Sequence, residues 1–402
     1  MPDAVYRRYV SRLLGTTIAL MLLMAAFNRV VDPFWYFRDV EVAGFNAVKT
    51  SFRRFERNVK PALLVREQPE AVILGSSFAE VGFDPLHPRL TDGGRARTFN
   101  FALAGAPWQL NFCALDFVLA TTKARRIVLG IHAGELPAFD CTEELARMKE
   151  VPWAAMLLSA PALGASVRTV TRQRSEQRPS HTREGLYFYT RFDPGVERRF
   201  RQYFAVQLPG NPACRKDNLE RSLATLAWSA PSAGRPMDLD GLDRIVTAIS
   251  GRDVALKLVV YPQHALRVET DYLCGRAEAR WQALWQIAQR LETHPPAPPA
   301  SIELWDFQGY SAYTTEAVAS GLMTYWQDPE HFNYELGNVM LDRIFGAVPI
   351  TESGFDGVVG YRVTTETLAA RRAWFEEQRA AYLRAHPSAA KTFGALLPPG
   401  LP

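Results

Sequence analysis

A serine, an aspartate and a histidine in two short motifs have the residue types of a nucleophile, its orienting carboxylate and its base. The first motif, Gly-Ser-Ser at residues 75–77, directly follows an apolar run. The second, much further along the chain, places Asp328 and His331 three residues apart. A serine hydroxyl is a poor nucleophile unless an imidazole removes its proton, and a carboxylate fixes the imidazole's tautomer. The two motifs therefore predict acyl chemistry, with Ser77 as nucleophile.

Each motif also has a structural interpretation. Serine is a common helix N-cap residue, which alone would explain Ser77. Asp-Pro is a common turn sequence, so Asp328 and His331 could lie in a surface turn. The G-x-S-x-G elbow of α/β-hydrolases is not present, because Ala79 stands at its last glycine. Only the pairing of the two motifs favours catalysis over these alternatives.

The elements that would position these motifs form a parallel sheet. Continuous apolar runs are typical of strands buried on both faces, and helical patterns separate the runs in this chain. Such alternation predicts a doubly wound α/β sheet with ligands at the carboxyl ends of its strands. That edge is where Ser77 would lie, beside the start of a helix. The predicted strands are residues 71–74, 98–101, 127–130, 256–261 and 302–307.

The remaining segments suggest three regions. Residues 1–40 form an N-terminal tip and apolar helix, residues 41–350 the α/β domain, and residues 351–402 a C-terminal part outside its core. Within the second region, the strand pattern lapses between about residues 140 and 240, which predicts a helical insertion near the substrate cleft. The insertion contains the aromatic triplet at residues 187–189. The third region is predicted to hold an amphipathic helix through Leu368, Phe375 and Tyr382, ended by Pro387.

The N-terminus predicts export. Three arginines precede an uncharged stretch at residues 13–28, which is slightly short for a spanning helix unless Arg29 snorkels and the following valines join it. A retained membrane anchor, a cleaved signal peptide and a buried helix of a soluble protein are the three alternatives, and the first two are favoured. In either of these two cases the arginines stay cytoplasmic and the chain after residue 40 is exported. We expect a single-pass protein of the inner membrane with a periplasmic domain.

Composition excludes several classes. The net charge is +4 without a basic stripe, so nucleic acid is not expected as a partner. No His, Cys or carboxylate group has the ligand spacing of a tight metal site, and no cofactor is expected.

Cys141, Cys214 and Cys274 could form a bridge in an exported protein. Cys113, in an apolar helical segment, is interpreted as a buried small hydrophobe.

Three blocks of the chain resemble those of the SGNH (GDSL-like) hydrolases. They are Gly75–Ser77, Asn100–Gly105 and the Asp328/His331 motif, in the order of that family across about residues 70–350. The resemblance extends to the membrane-anchored, exported branch related to bacterial polysaccharide O-acetyltransferases, including those of alginate modification. It implies a flavodoxin-like three-layer sandwich with Ser77 as nucleophile, Asp328 as orienter and His331 as base. It also implies that the backbone N–H groups of Gly105 and Ser77 form the oxyanion hole.

Two departures from the family pattern bear on function. Ser76 replaces the aspartate that usually precedes the nucleophile, and the third block, Gly130–Glu135, lacks the usual oxyanion-hole asparagine. Three further residues are candidates for substrate contact. They are His264 at a predicted strand end, His132 within the third block, and Trp108 close to Gly105, each of which could instead be structural.

The leading hypothesis is therefore an exported O-acetyltransferase that modifies a cell-envelope or secreted polysaccharide. Because a periplasmic site cannot use cytosolic acetyl-coenzyme A directly, the resemblance implies a membrane-bound O-acyltransferase partner that passes the acyl group across. Two alternatives remain at this point. A carbohydrate esterase would use water as the acceptor, and a non-catalytic polysaccharide-binding assembly subunit would have lost the chemistry.

Overall fold

The computed structural model describes residues 2–149, 153–173, 178–207, 236–346 and 359–386. The chain forms two compact units. One, the helical unit, comprises Met1–Arg66 and Ala146–Arg183; the other, the sheet unit, comprises Glu67–Leu145 and Glu184–Pro402.

Helices separate the successive parallel strands, and the longest run of described helices lies between the third and fourth strands. The described helices are α1 (Pro2–Val31), α2 (Phe52–Glu67), α3 (Ser77–Gly82), α4 (Trp108–Thr121), α5 (Thr142–Lys149), α6 (Trp153–Leu158), α7 (Ala160–Thr171), α8 (Val196–Gln207), α9 (Asp240–Ile249), α10 (Ala265–Leu273), α11 (Ala277–Thr293), α12 (Tyr334–Ile344) and α13 (Thr365–Ala385).

The helical unit contains one helix that is long and apolar enough to cross a membrane. Its candidate span is Ala4–Val31, with a mean hydropathy of 1.8 and an exposed surface. The helix is longer than the predicted apolar stretch, because the arginine-containing residues before the stretch and the valines after it are also helical. Its last carbonyls accept hydrogen bonds from the Asn46 amide (to Val30 and Val31) and the Lys49 ammonium (to Val31). These side chains replace the partners that a helix C-terminus lacks.

The sheet unit is built on six strands in the order β2-β1-β3-β4-β5-β6. The first five run parallel, and β6 pairs antiparallel with β5. The parallel part has the order 2-1-3-4-5, one of the two common orders of doubly wound α/β sheets. The strands are β1 (Ala71–Leu74), β2 (Thr98–Asn100), β3 (Arg126–Ile131), β4 (Ala255–Val260), β5 (Ser301–Asp306) and β6 (Tyr361–Arg362).

The predicted parallel strands are confirmed to within a residue at each end. All five are buried along their carboxyl halves or throughout, which explains their continuous apolar runs. The C-terminal region differs from the prediction. Tyr361 and Arg362 extend the sheet, and Phe375 of α13 packs edge-on against Trp281 of α11 at 5.2 Å between ring centroids. This region therefore belongs to the sheet unit. Pro387, the predicted helix end, lies outside the described residues.

The predicted insertion at about residues 140–240 is divided between the two units. Its part from residue 146 to 183 groups with the N-terminal helix in the helical unit, whereas the part from residue 184 onwards belongs to the sheet unit. Residues 41–66 likewise group with the helical unit rather than with the α/β domain. Helices α6 and α7 pack against α1, where the Asn28 side-chain amide donates to the Leu157 carbonyl at 2.7 Å.

The interpretation of Cys113 as an unpaired buried residue is wrong. Cys113 of α4 forms a disulfide with Cys141, which lies just before α5. Cys274 is also disulfide-bonded. The helical, apolar surroundings of Cys113 hide this pairing in the sequence, because its partner is brought beside it only by the fold. Disulfides persist in oxidising compartments, so the bond fits an exported domain.

Candidate active site

Ser77, the proposed nucleophile, follows a tight turn at the end of β1. Strand β1 ends at Leu74, and Ser77 is the first residue of α3. The intervening Gly75 has φ +146°, and a Cβ atom there would lie 2.3 Å from the Tyr261 hydroxyl and 2.7 Å from the Ala79 Cβ. Only glycine fits this position, both for its backbone conformation and for the close approach. The chain can therefore turn sharply and place the Ser77 hydroxyl at the carboxyl edge of β1.

We expect Gly75→Ala to destabilise the protein by about 1–3 kcal/mol, since the new methyl group overlaps two neighbours in a buried turn. Denaturant unfolding of wild type and variant measures this cost. Gly251→Ala is the matched control, because Gly251 also has a positive φ (+74°) but open space around its Cβ position. An equal cost for the two variants would show that backbone strain alone matters and that the close approach at Gly75 is unimportant.

The base and its carboxylate share one short loop. An antiparallel bridge between Trp326 and Phe332 closes the loop, and the Gln327 N–H donates to the His331 carbonyl at 2.9 Å. Inside it, one Asp328 carboxylate oxygen accepts the backbone N–H groups of Glu330 (2.9 Å) and His331 (2.8 Å). The aspartate thus holds the loop's backbone as well as facing the imidazole. The turn-forming character of Asp-Pro and the catalytic interpretation are both satisfied by the same residues.

The two motifs meet in a continuous hydrogen-bonded chain. Ser77 Oγ lies 2.8 Å from His331 Nε2, and His331 Nδ1 lies 2.8 Å from Asp328 Oδ2. A carboxylate only accepts, so Nδ1 carries the proton and Nε2 is left to accept from the serine. This is the tautomer that a general base for Ser77 requires. All three residues are partly or largely buried.

The electrostatics of the pair suit that role. Burial disfavours the imidazolium, but the charge of Asp328 and its hydrogen bond outweigh burial, so the pKa of His331 lies above its usual value. Burial likewise opposes ionisation of Asp328, yet His331 and the loop amides hold the pKa of this carboxyl below its usual range. Asp328 therefore stays ionised and favours the charged form of His331.

Aromatic rings enclose the imidazole. Phe78, directly after the nucleophile, stacks on His331 with 4.6 Å between ring centroids and planes 13° apart. On another side, the Tyr189 ring centroid lies 5.4 Å from that of His331. The stack of Phe78 on His331 helps to fix the imidazole without offering it a competing hydrogen-bond acceptor.

Buried polar contacts tether the base loop to two helices. Glu330 accepts from the Tyr203 hydroxyl of α8 at 2.6 Å and from Arg267 Nε of α10 at 3.1 Å. The Arg199 side chain of α8 donates to the Gln327 carbonyl at 2.7 Å. These contacts hold the chain on both sides of Asp328. They explain how a loop rather than a strand can present the base in a fixed position.

A narrow cleft opens beside Ser76 where the strand order reverses. The carboxyl ends of β1 and β3 flank it, which is where doubly wound sheets bind ligands. Tyr261 forms its floor: the Ser76 N–H donates to the Tyr261 hydroxyl at 3.2 Å. The cleft is lined by Ser76, Ala106, Trp108, Asn111, Gly130, Ile131, His132, Glu135, Leu136 and Tyr261.

The predicted oxyanion donors lie at the edges of the nucleophile loop and its neighbour. Among the described residues, no acceptor takes the Ser77 N–H, as expected at the start of a helix. The exposed Gly105 has φ +65° in a turn closed by the bond from the Ala106 N–H to the Leu103 carbonyl. Leu103 N–H in turn donates to the Gly75 carbonyl at 3.0 Å. This bond ties the Gly105 turn to the nucleophile loop.

The second block of the resemblance has a structural explanation. The Asn100 side chain donates to the carbonyls of Ala79 and Phe83, both at 3.0 Å, at the end of α3. Its oxygen accepts the Ala102 N–H at 3.1 Å. Asn100 therefore joins the end of β2 to the helix that carries the nucleophile, which keeps the two loops of the site in register.

The three candidates for substrate contact lie in different surroundings. His132 and Trp108 both line the cleft, although Trp108 is 7% exposed. Burial lowers the pKa of His132 to about 4, so this residue is neutral near pH 7. His264 is different: its Nδ1 accepts the Leu266 N–H, its Nε2 faces the Glu316 carbonyl at 2.8 Å, and it is 1% exposed. These contacts favour the structural interpretation of His264, at the start of α10, over substrate contact.

Sequence reasoning missed three residues of the site. Phe78 and Tyr261 look like ordinary core aromatics, and only the fold shows that they support His331 and Ser76. Asn111 lines the cleft from the first turn of α4 and is 7% exposed. It could have been found, because it is a buried amide in the first turn of a largely apolar helix.

Comparison with known proteins adds no assignment. No protein-family model matches the chain, and no curated protein matches it. The functional conclusion must therefore be drawn from the geometry.

Proposed function

We propose that this protein is an exported, membrane-tethered serine O-acetyltransferase that modifies a cell-envelope or secreted polysaccharide. The observation that carries the proposal is the unbroken chain from Ser77 Oγ through His331 to Asp328, with both gaps at 2.8 Å. A simple N-cap serine and a simple surface turn would have no reason to meet in this way. The resemblance to SGNH hydrolases and their flavodoxin-like sandwich is consistent with the observed strand order.

In the first half-reaction, Ser77 Oγ attacks the carbonyl carbon of an acyl ester while His331 Nε2 takes the hydroxyl proton. The resulting oxyanion would be bound by the N–H groups of Ser77 and Gly105, with the Asn111 amide of the adjoining cleft as a candidate third donor. His331 then returns the proton to the departing alkoxide as the carbon–oxygen bond of the donor breaks. The product is an acetyl ester on Ser77.

In the second half-reaction, a sugar hydroxyl gives its proton to His331 and attacks the acyl-enzyme. Collapse of the tetrahedral intermediate breaks the bond to Ser77 Oγ, which recovers the proton from His331. No cofactor is required by this scheme. The acetyl donor would come from a membrane-bound O-acyltransferase, because the disulfide between Cys113 and Cys141 supports an oxidising compartment without cytosolic acetyl-coenzyme A.

Transfer and hydrolysis differ in the molecule that accepts the acetyl group, which is a sugar hydroxyl in the first case and water in the second. We expect the purified full-length protein, given p-nitrophenyl acetate and a mixture of oligosaccharides, to yield acetylated sugar that mass spectrometry detects. A carbohydrate esterase would instead release only acetate from the same mixture and would deacetylate acetylated oligosaccharides. A non-catalytic binding subunit would accelerate neither reaction, and it would keep its biological function in a Ser77→Ala, His331→Ala double variant.

A further inference from the structure

We propose that Tyr189 forms the acceptor subsite, stacking on the apolar face of the glycosyl unit whose hydroxyl attacks the acyl-enzyme. This inference rests on the proposed function, since it names the group that positions its second substrate. Four observations lead to it: the conformation of Tyr189, its exposure, the way its loop is held, and its distance from the base.

The conformation and exposure of Tyr189 are both unfavourable for a purely structural residue. Its φ is +39°, in the left-handed region that side chains other than those of Gly, Asn and Asp rarely adopt. Its side chain is 46% exposed, although it is a large aromatic residue. Glycine would fit the backbone better, and burial would suit the ring better. Strained residues of this kind cluster at ligand-binding sites, where the surrounding structure holds them.

The loop that carries Tyr189 is fixed to both halves of the catalytic apparatus. The Tyr187 N–H donates to the Glu80 carbonyl of α3 at 3.0 Å. On the other side, the Thr190 N–H donates at 3.0 Å to the side-chain oxygen of Gln327, the residue before Asp328. Between them, the Arg191 N–H closes a turn onto the Phe188 carbonyl at 2.7 Å. Tyr189 is thus held at the tip of an ordered turn.

The ring lies where an acceptor must bind. Its centroid is 5.4 Å from that of His331, the group that must remove the acceptor's proton. Its neighbours extend the aromatic surface: Tyr187 lies 5.8 Å away, and the next pair, Phe188 and Phe192, lie 5.3 Å apart, with Phe192 40% exposed. An exposed aromatic surface beside a polar catalytic group suits a ligand with an apolar face and hydroxyls at its rim.

The charges around this surface favour a glycosyl unit over an anionic ligand. Arg191 is paired with Glu335, and Arg199 is paired with Asp193 at 2.8 Å. Both nearby guanidinium groups therefore have carboxylate partners, which leaves recognition to the rings. A pyranose offers C–H groups on one face for stacking and directs its hydroxyls sideways. On Tyr189, such a ring would present a hydroxyl towards His331 Nε2.

The test measures how the acyl-enzyme divides between two acceptors. Full-length protein is supplied with p-nitrophenyl acetate, a methyl glycoside (glucoside, galactoside, mannoside or N-acetylglucosaminide) and ethanol, and the two acetylated products are quantified. We expect wild type to prefer at least one glycoside over ethanol. Tyr189→Gly should lower that preference about tenfold, as for loss of one stacked ring, whereas Tyr189→Phe should keep it. The ratio of products does not depend on how fast the acyl-enzyme forms.

Thermal unfolding separates a ligand-binding role from a structural one. Because glycine tolerates a positive φ, Tyr189→Gly should unfold at the same temperature as wild type or higher while losing the preference. A variant that keeps the glycoside preference, or a wild type that prefers no glycoside, would overturn the subsite. Absence of any acyl-enzyme in wild type would instead count against the proposed function itself.

Discussion

Replacing Ser77 by alanine should lower the rate of p-nitrophenyl acetate cleavage by at least about 10⁴-fold. The reason is that the Ser77 hydroxyl is the group within hydrogen-bonding distance of His331 Nε2, and no other nucleophile is proposed for the acyl-enzyme. Nitrophenolate release under conditions of substrate excess measures the effect. Circular dichroism should show an unchanged fold, because the lost hydroxyl lies at a partly exposed position.

The neighbouring serine provides a matched control. Ser76 is 5% exposed and its hydroxyl has no hydrogen-bond partner among the described residues. By the resemblance to SGNH hydrolases, it stands at the position where those proteins usually have an aspartate. We expect Ser76→Ala to retain most of the rate. If Ser76→Ala were as damaging as Ser77→Ala, the assignment of the nucleophile would be wrong.

Replacing Asp328 by asparagine should cost about 10⁴-fold in kcat with little loss of substrate binding. The amide would preserve the shape of the loop but would no longer favour the tautomer with the proton on Nδ1, and it could not stabilise the imidazolium. Steady-state kinetics with p-nitrophenyl acetate measure the loss. Asp253→Asn, a carboxylate that is 70% exposed and far from the triad in sequence, should leave kcat unchanged.

The pH dependence of kcat/KM provides a second test of the Asp328→Asn variant. His331 must be neutral to act as base, so kcat/KM falls as pH drops through its pKa. Because Asp328 holds that pKa above the usual value of 6.5, the acid limb of the wild-type profile should lie above pH 6.5. Loss of the carboxylate removes this stabilisation of the imidazolium, so the limb should move to lower pH in Asp328→Asn. A limb that does not move would indicate that another group titrates.

Much of the architecture could be predicted because the strands of a buried parallel sheet appear in the sequence as continuous apolar runs. A strand buried on both faces, such as β1 at Ala71–Leu74, must be apolar at every position, and the helices between strands have their own period. The paired residues of β6 carry no such signal, because two residues cannot show a period and Arg362 is exposed. The antiparallel edge strand was therefore missed.

The triad could be predicted and its surroundings could not, for a physical reason. Ser77, Asp328 and His331 are polar residues next to predicted element ends, where topology alone brings them together. The supporting residues act through packing between distant segments. Phe78 and Tyr261 are aromatic residues in an aromatic-rich chain, and nothing in their local sequence distinguishes them from other core residues.

Contacts formed by the inserted segment could not be predicted for the same reason, because they join residues that are distant in the sequence. The bond from Thr190 to the Gln327 side chain joins residues separated by 137 positions. Both are ordinary polar residues beside motifs that the sequence singles out, but nothing in either local sequence indicates that they meet. The pairing of Cys113 with Cys141 was missed for a similar reason, since four cysteines allow several pairings.

The most direct test is covalent labelling with a fluorophosphonate, which reacts with a serine whose hydroxyl is activated by an adjacent base. The account predicts one label per wild-type chain, located on Ser77 by peptide mass spectrometry, and no label in His331→Ala. A wild-type protein that stays unlabelled, or that carries its label on a different residue, would contradict the proposed triad.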